Sequence, residues 1–184
     1  MTKYITFLFL FLLFTGCKKE CYHPKGEFFK YVIKKDSHYS SSRVFKKMRC
    51  DSLRFNFYFD NSVLEYGPDQ INKIYGISNT IDHSYSSARL GWICKDSSNI
   101  EIYAYVRDMG TIRTKLLTVI KPHEIVKAEI VDGGSNWFIS VDTDRYYEKV
   151  AIFKKYTTFY NFVLYPYYGG HDKAQQTINV YIDK

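Results

Sequence analysis

The feature that most limits what this chain can fold into is a strict two-residue alternation. In LRFNFYFD, residues 53–60, Leu53, Phe55, Phe57 and Phe59 fall on one side and Arg54, Asn56, Tyr58 and Asp60 on the other. Successive side chains of a strand point to opposite faces, so this pattern predicts a strand with one face buried. The pattern returns in NIEIYAYVRD, residues 99–108, where Ile100, Ile102, Ala104 and Val106 oppose Glu101, Tyr103, Tyr105 and Arg107. Further strand-like runs cover 71–78, 88–95, 111–120, 125–131, 137–141, 150–153, 162–165 and 177–182. Turn chemistry separates them: DGGS at 132–135 offers the positive-φ residues of a tight hairpin, and NSVLEYGPDQ, RDMG and YYGGHDK carry further Gly, Pro, Asn and Asp signals. No segment shows a sustained apolar stripe of helical period. About ten strands with frequent turns predict an all-β fold, an antiparallel β-sandwich of jelly-roll-like type over residues 28–184, with a closed, ligand-holding β-barrel as the other arrangement. Residues 34–43, rich in Ser and charge, read as a loop.

The first residues obey a different rule. The apolar run from Tyr4 to Phe14 is only eleven residues long, whereas a membrane-spanning helix needs about 20. Lys3 precedes the run and the small residues Thr15 and Gly16 follow it, the arrangement of a secretory signal. Phe14-Thr15-Gly16-Cys17 resembles the lipobox of bacterial lipoproteins, with Phe14 where Leu is usual. The resemblance implies cleavage after residue 16, acylation at Cys17 and a lipidated tether over residues 17–27. One acyl chain binds a membrane reversibly, and two or three hold it firmly. The expected address is therefore the cell envelope, with the domain tethered to a membrane, the outer one by preference, and facing the periplasm or the surface.

The 184-residue chain carries a net charge of +7. Outside Lys18-Lys19, Lys34-Lys35, Arg43 to Arg49 and Lys154-Lys155 the basic residues are scattered, and an exported chain has little access to nucleic acid, so no nucleic-acid partner is expected. Lys18, Lys19 and Lys25 lie beside the anchor as a solvated tether. Cys21, Cys50 and Cys94 remain once Cys17 is acylated, and an odd number permits one internal bridge at most. Cys94, within the alternating RLGWICKD, reads as a small buried hydrophobe. A bridge, if formed, is expected between Cys21 and Cys50. There is no CxxC pair, hence no zinc-ribbon or thioredoxin signal.

A second resemblance covers roughly residues 70–184. Arg89 to Trp92, Ile100 to Tyr105 and Pro166 to Ile182 resemble recurring pieces of a family of small, uncharacterised lipoproteins of the Bacteroidetes type. Tyr168 stands where that family has Phe, and Gln175-Gln176 where it has a Pro-His-like pair. The resemblance implies a sandwich-like fold and an anchored address, and no established activity.

Catalytic chemistry is not legible. The five histidines form neither HExxH nor an HxH pair, and no GxSxG is present. Asp142 and Asp144 in VDTDR offer two carboxylates to calcium or to a hydrolase, but a calcium loop needs more oxygen ligands at defined offsets, and a surface turn is the plainer reading. No catalytic residue, metal or cofactor is therefore expected, and the chain is not read as an enzyme.

Aromatic usage is the stronger signal: 18% of residues are Phe, Trp or Tyr, with 18 tyrosines. Tyr103 and Tyr105 share the polar face of one strand, about 7 Å apart. Rings at that spacing can stack on sugar rings while their hydroxyls hydrogen-bond. Tyr165, Tyr167, Tyr168 and His171 of the Gly-rich C-terminal loop are the other candidate ligand contacts, whereas Trp92 is expected to bury its indole. Tyrosine is also a favoured strand residue, and cross-strand pairs stabilise sheets without binding anything. The expected function is a membrane-anchored recognition module with a glycan as its ligand. The alternative is an immunity-like or interaction lipoprotein with an envelope protein as its partner, and a hydrolase comes third.

Overall fold

A computed structural model of the chain describes residues 22–42, 46–64, 70–156, 158 and 160–184. Cys17, Cys21 and the signal-like segment lie outside the described residues. The fold is two six-stranded antiparallel sheets face to face. In chain order the strands are β1 (Phe29–Ile33), β2 (Lys46–Met48), β3 (Ser52–Phe59), β4 (Asn72–Ser78), β5 (Ser86–Cys94), β6 (Ile100–Asp108), β7 (Thr111–Ile120), β8 (Val126–Asp132), β9 (Asn136–Asp142), β10 (Tyr147–Phe153), β11 (Asn161–Leu164) and β12 (Ile178–Asp183). The first sheet runs β1-β12-β3-β8-β9-β10 and the second β2-β11-β4-β5-β6-β7. The chain weaves between them at β1–β2, β2–β3, β3–β4, β7–β8, β10–β11 and β11–β12, a jelly-roll-like path. Among the described residues both strand orders are open, ending at β1 and β10 in the first sheet and at β2 and β7 in the second, so the arrangement is the sandwich and not the closed barrel.

The alternation read from the sequence is the one the core uses. Leu53, Phe55, Phe57 and Phe59 on β3, and Ile100, Ile102, Ala104 and Val106 on β6, are fully buried in the space between the sheets. Trp92 and Trp137 join them. Twelve strands form, against about ten expected. The additional β1 and β2 are short, and β2, reading KKM, owes its place to pairing with β11. The hairpin between β8 and β9 turns on Gly134 at φ +78°, with its N–H donating to Asp132 Oδ1 at 3.0 Å. That between β6 and β7 turns on Met109 and Gly110, both at positive φ, as a two-residue hairpin requires. Part of the expected tether already runs on the domain: the Tyr22 carbonyl accepts from Arg54 N–H at 3.2 Å, and the N–H groups of Lys25 and Gly26 donate to the Asp183 carboxylate at 2.6 and 3.0 Å. Among the described residues no helix is long and apolar enough to cross a membrane.

Candidate functional site

The site is built on the face of the second sheet that turns away from the core. On β5 the core takes Ala88, Leu90, Trp92 and Cys94, so alternation sends Ser87, Arg89 and Gly91 outward. Pairing with β6 sets Tyr105 opposite Arg89, Tyr103 opposite Gly91 and Arg107 opposite Ser87. On β4 the register shifts between Lys73 and Gly76. This bulge admits both Ile74 and Tyr75 to the core and leaves Lys73 and Gly76 outside, opposite Gly91 and Arg89. Past the end of β11 the chain continues along β4: Lys73 N–H donates to the Tyr167 carbonyl at 2.8 Å and Tyr167 N–H to the Lys73 carbonyl at 2.9 Å. The 34–42 loop adds a bridge between Tyr39 and Tyr167.

These pairings lay residues in rows across the sheet. One row reads Tyr39, Tyr167, Lys73, Gly91, Tyr103, Leu116, and its neighbour reads Leu164, Gly76, Arg89, Tyr105, Thr114. Steps along a row are about 4.8 Å, and the rows lie about 7 Å apart. The His38 ring stacks on Tyr167 with centroids 5.5 Å apart and planes 9° from parallel, while Tyr39 meets Tyr167 edge-on at 5.4 Å.

Two glycines shape the floor. A Cβ on Gly76 would lie 2.2 Å from the Ala88 carbonyl oxygen and 2.7 Å from Arg89 Cγ, so the arginine side chain passes over the bare backbone of β4. A Cβ on Gly91 would meet Ile71 Cγ2 at 2.2 Å. Arg89 and Tyr105 are consequently buried, 6% and 5% exposed, although neither belongs to the core between the sheets.

The recess is cationic. Lys73 Nζ donates to the Gly169 carbonyl at 2.9 Å and lies 4.8 Å from the centre of the Tyr105 ring. Burial, then the nearby charges of Arg89 and Arg107, lower its pKa to about 8. Arg107 Nε donates to the Tyr105 hydroxyl at 3.1 Å and its Nη1 to the Ser84 carbonyl at 3.3 Å. The pKa of Arg89 is lowered to about 10, chiefly by burial, against which the neighbouring Tyr105 and Tyr165 act. Burial and then Arg89 lower the pKa of His83 as well. Among the described residues no carboxylate, carbonyl or hydroxyl accepts a hydrogen bond from the Arg89 guanidinium.

Of the sequence-derived ligand candidates, the structure brings together Tyr103, Tyr105 and Tyr167 on this face, with Tyr165 close enough to Arg89 to act on its charge. Tyr168 goes elsewhere: one residue beyond Tyr167, it turns inward, is buried in the core and meets Trp92 edge-on at 6.1 Å. Trp92 is likewise a core residue, as expected. His171 stands exposed in the C-terminal loop, its N–H donating to Gln70 Oε1 at 3.3 Å. Cys50 and Cys94 are buried, with Cys50 Sγ 3.1 Å from the Ser52 carbonyl, and the expected pairing with Cys21 lies outside the described residues. The segment with Asp142 and Asp144 forms a turn, Thr143 N–H donating to the Tyr146 carbonyl at 2.9 Å. Sequence reasoning missed His38, Tyr39, Lys73, Arg89 and Arg107. The one visible signal was an arginine set between Ala88 and Leu90 in an otherwise apolar run.

No protein-family model and no curated protein matches the chain. Among solved structures, it is similar to the alginate lyase from Klebsiella pneumoniae, with a TM-score of 0.53 and 11% identity over 72% of this chain and 57% of that one. The chain thus spans 57% of the length of that lyase. It is also similar to a functionally unknown protein from Saccharomyces cerevisiae, with a TM-score of 0.50 and 10% identity over 88% of this chain and 90% of that one. At these identities the likeness is one of fold: the chain is a β-sandwich protein.

Proposed function

We propose that this protein is a lipid-anchored envelope protein whose β-sandwich recognises saccharides on the outer face of the second sheet. The observation that carries the reading is the row of rings. Tyr39, Tyr167 and Tyr103 lie along one line with Tyr105 in the next, beside the buried Arg89 and the partly buried Lys73 and Arg107. Flat rings cover the apolar faces of sugars while phenol hydroxyls and cationic N–H groups meet their oxygens. The sequence Phe14-Thr15-Gly16-Cys17 supports the anchor.

The test is binding of the full chain, purified in detergent, to immobilised envelope and capsular polysaccharides. Tyr103→Ala and Tyr167→Ala, both at partly exposed rings, are expected to weaken binding about tenfold each, the scale of one aromatic contact. Unchanged affinity in both variants, with unchanged melting temperatures, would remove this face as the binding site. For the anchor, Cys17→Ser is expected to release the protein from membranes. Membrane partition that persists in that variant would refute lipidation.

A second reading has its own support. Ile112, Leu116 and Val119 are each about half exposed on β7, an edge strand of the same sheet. An envelope protein that covered this strip would make the chain an interaction lipoprotein. Crosslinking through the strip, with no saccharide retained, would favour it.

A further inference from the structure

We infer that the saccharide bound on the outer face of the second sheet is acidic, and that its carboxylate or sulfate group seats on Arg89 with Lys73 and Arg107 beside it. This rests on the saccharide reading of the same face. A guanidinium is among the groups most rarely buried without a partner, and leaving a buried charge unpaired is costly. Arg89 is 6% exposed and among the described residues has no hydrogen-bond acceptor, and because its nitrogens are not among the fully buried atoms that lack a partner, the little exposure it keeps includes the guanidinium itself. Its neighbours make the field more positive: Arg107 and Lys73 bear on the same recess.

The fold has gone to some length to hold it there. Gly76 is the only residue type that lets the arginine stem pass so close to β4, with Ala88 O and Arg89 Cγ both inside the reach of any Cβ. The rings of Tyr105 and Tyr167, 4.8 and 5.9 Å from Lys73 Nζ, soften the lysine's charge but accept nothing from the guanidinium. Donors are left over on every cation: Lys73 uses one on Gly169, and Arg107 uses Nε and Nη1, whereas a guanidinium carries five and an ammonium three. An oxyanion that presents two oxygens to the guanidinium fork, with an ammonium at its side, completes such a set. A neutral sugar would leave the Arg89 guanidinium as the structure has it, almost wholly shielded from water and without an anionic partner.

The experiment measures thermal shifts of the full chain in detergent with four probes: a uronate oligosaccharide, its carboxyl-reduced neutral counterpart, a sulfated oligosaccharide and inorganic sulfate. The uronate or the sulfated oligosaccharide is expected to raise the melting temperature at least several degrees more than the neutral counterpart, and the better of the two identifies the anion. Arg89→Leu is expected to abolish that preference. It is also expected to leave the unliganded melting temperature unchanged or higher, because it removes an unpaired buried charge; an arginine with a purely structural role would lower it. Equal shifts from the uronate and its neutral counterpart, or a preference retained in Arg89→Leu, would overturn the acidic-ligand inference and leave the saccharide reading standing. A shift with inorganic sulfate alone would keep the anion seat and overturn the saccharide reading. Silence of all four probes would overturn both.

Discussion

The Arg89 side chain lies across the backbone of Gly76, its Cγ 2.7 Å from where a Cβ at that position would stand. Substituting Gly76→Ala therefore forces either the arginine stem or the Ala88 carbonyl, 2.2 Å from the same point, to move. Because a backbone atom is involved, the expected cost is about 2–3 kcal/mol, at the upper end for overpacking. Urea denaturation measures it. A loss below about 0.5 kcal/mol would mean that β4 and β5 can part at no cost.

A buried polar knot ties the ends of the two sheets. Lys154 is fully buried, contacts the Asp132 carboxylate, donates to Asn79 Oδ1 at 3.0 Å and sits 3.9 Å from the centre of the Trp137 ring. Asn79 in turn donates to Asp132 Oδ2 and Asn161 Oδ1, each at 2.6 Å. Lys154→Met keeps the length of the stem but removes the carboxylate's only cation among the described residues, leaving it to Asn79 and the Gly134 N–H, and about 3 kcal/mol of stability is expected to disappear. Adding Asp132→Asn should restore part of it. Chemical denaturation of the single and double variants reads both, and a harmless single variant would contradict the pairing.

The β6–β7 turn holds Met109 at φ +51° ahead of Gly110 at +81°. Methionine has no local hydrogen bond to offset that left-handed backbone, whereas Asn-Gly is the favoured pair for such a turn. Met109 is half exposed, so Met109→Asn loses little burial. It should stabilise the protein by about 0.5–1 kcal/mol, seen as a higher urea midpoint at unchanged slope.

Lys73 gives the acidic-ligand inference a pH signature. The groups that bear on it are Arg89 from β5, Arg107 and Tyr105 from β6, Tyr167 from the segment after β11, and His83 from the β4–β5 turn. Its pKa is lowered from 10.5 to about 8. The cost of holding Lys73 charged is therefore present below about 8 and relieved as pH rises from about 8 to 10.5, where the unfolded chain binds more protons. An anion that prefers the charged form should bind more weakly as pH climbs through 8, and near pH 8 binding should take up a fraction of a proton. Titration calorimetry in buffers of different ionisation enthalpy measures that uptake. Affinity that stays flat from pH 7 to 9.5 would separate Lys73 from the ligand.

Most of the fold was present in the chain as local pattern. Four alternating apolar residues on β3 and four on β6 name the inner face of each strand wherever those strands pair, because the two-residue period is a property of extended backbone alone. The same period put Tyr103 and Tyr105 on one outer face. It also separates Tyr167 from Tyr168 in the C-terminal loop: adjacent residues face opposite ways, one onto the sheet and the other against Trp92.

What only the tertiary structure decided was which strands are neighbours and in what register. Tyr39 and Tyr167 are far apart in sequence, and Lys73 joins them only because the segment after β11 pairs with β4 beyond its bulge. Arg89 looks like an ordinary outward arginine until Gly76 is found beside it and Tyr105 across from it. Pairing and register depend on how distant segments fill one core and satisfy one another's backbone hydrogen bonds. The outward tyrosines of β6 were legible from alternation, whereas the cations Lys73, Arg89 and Arg107 beside them, and the burial of Arg89, came from pairing and packing.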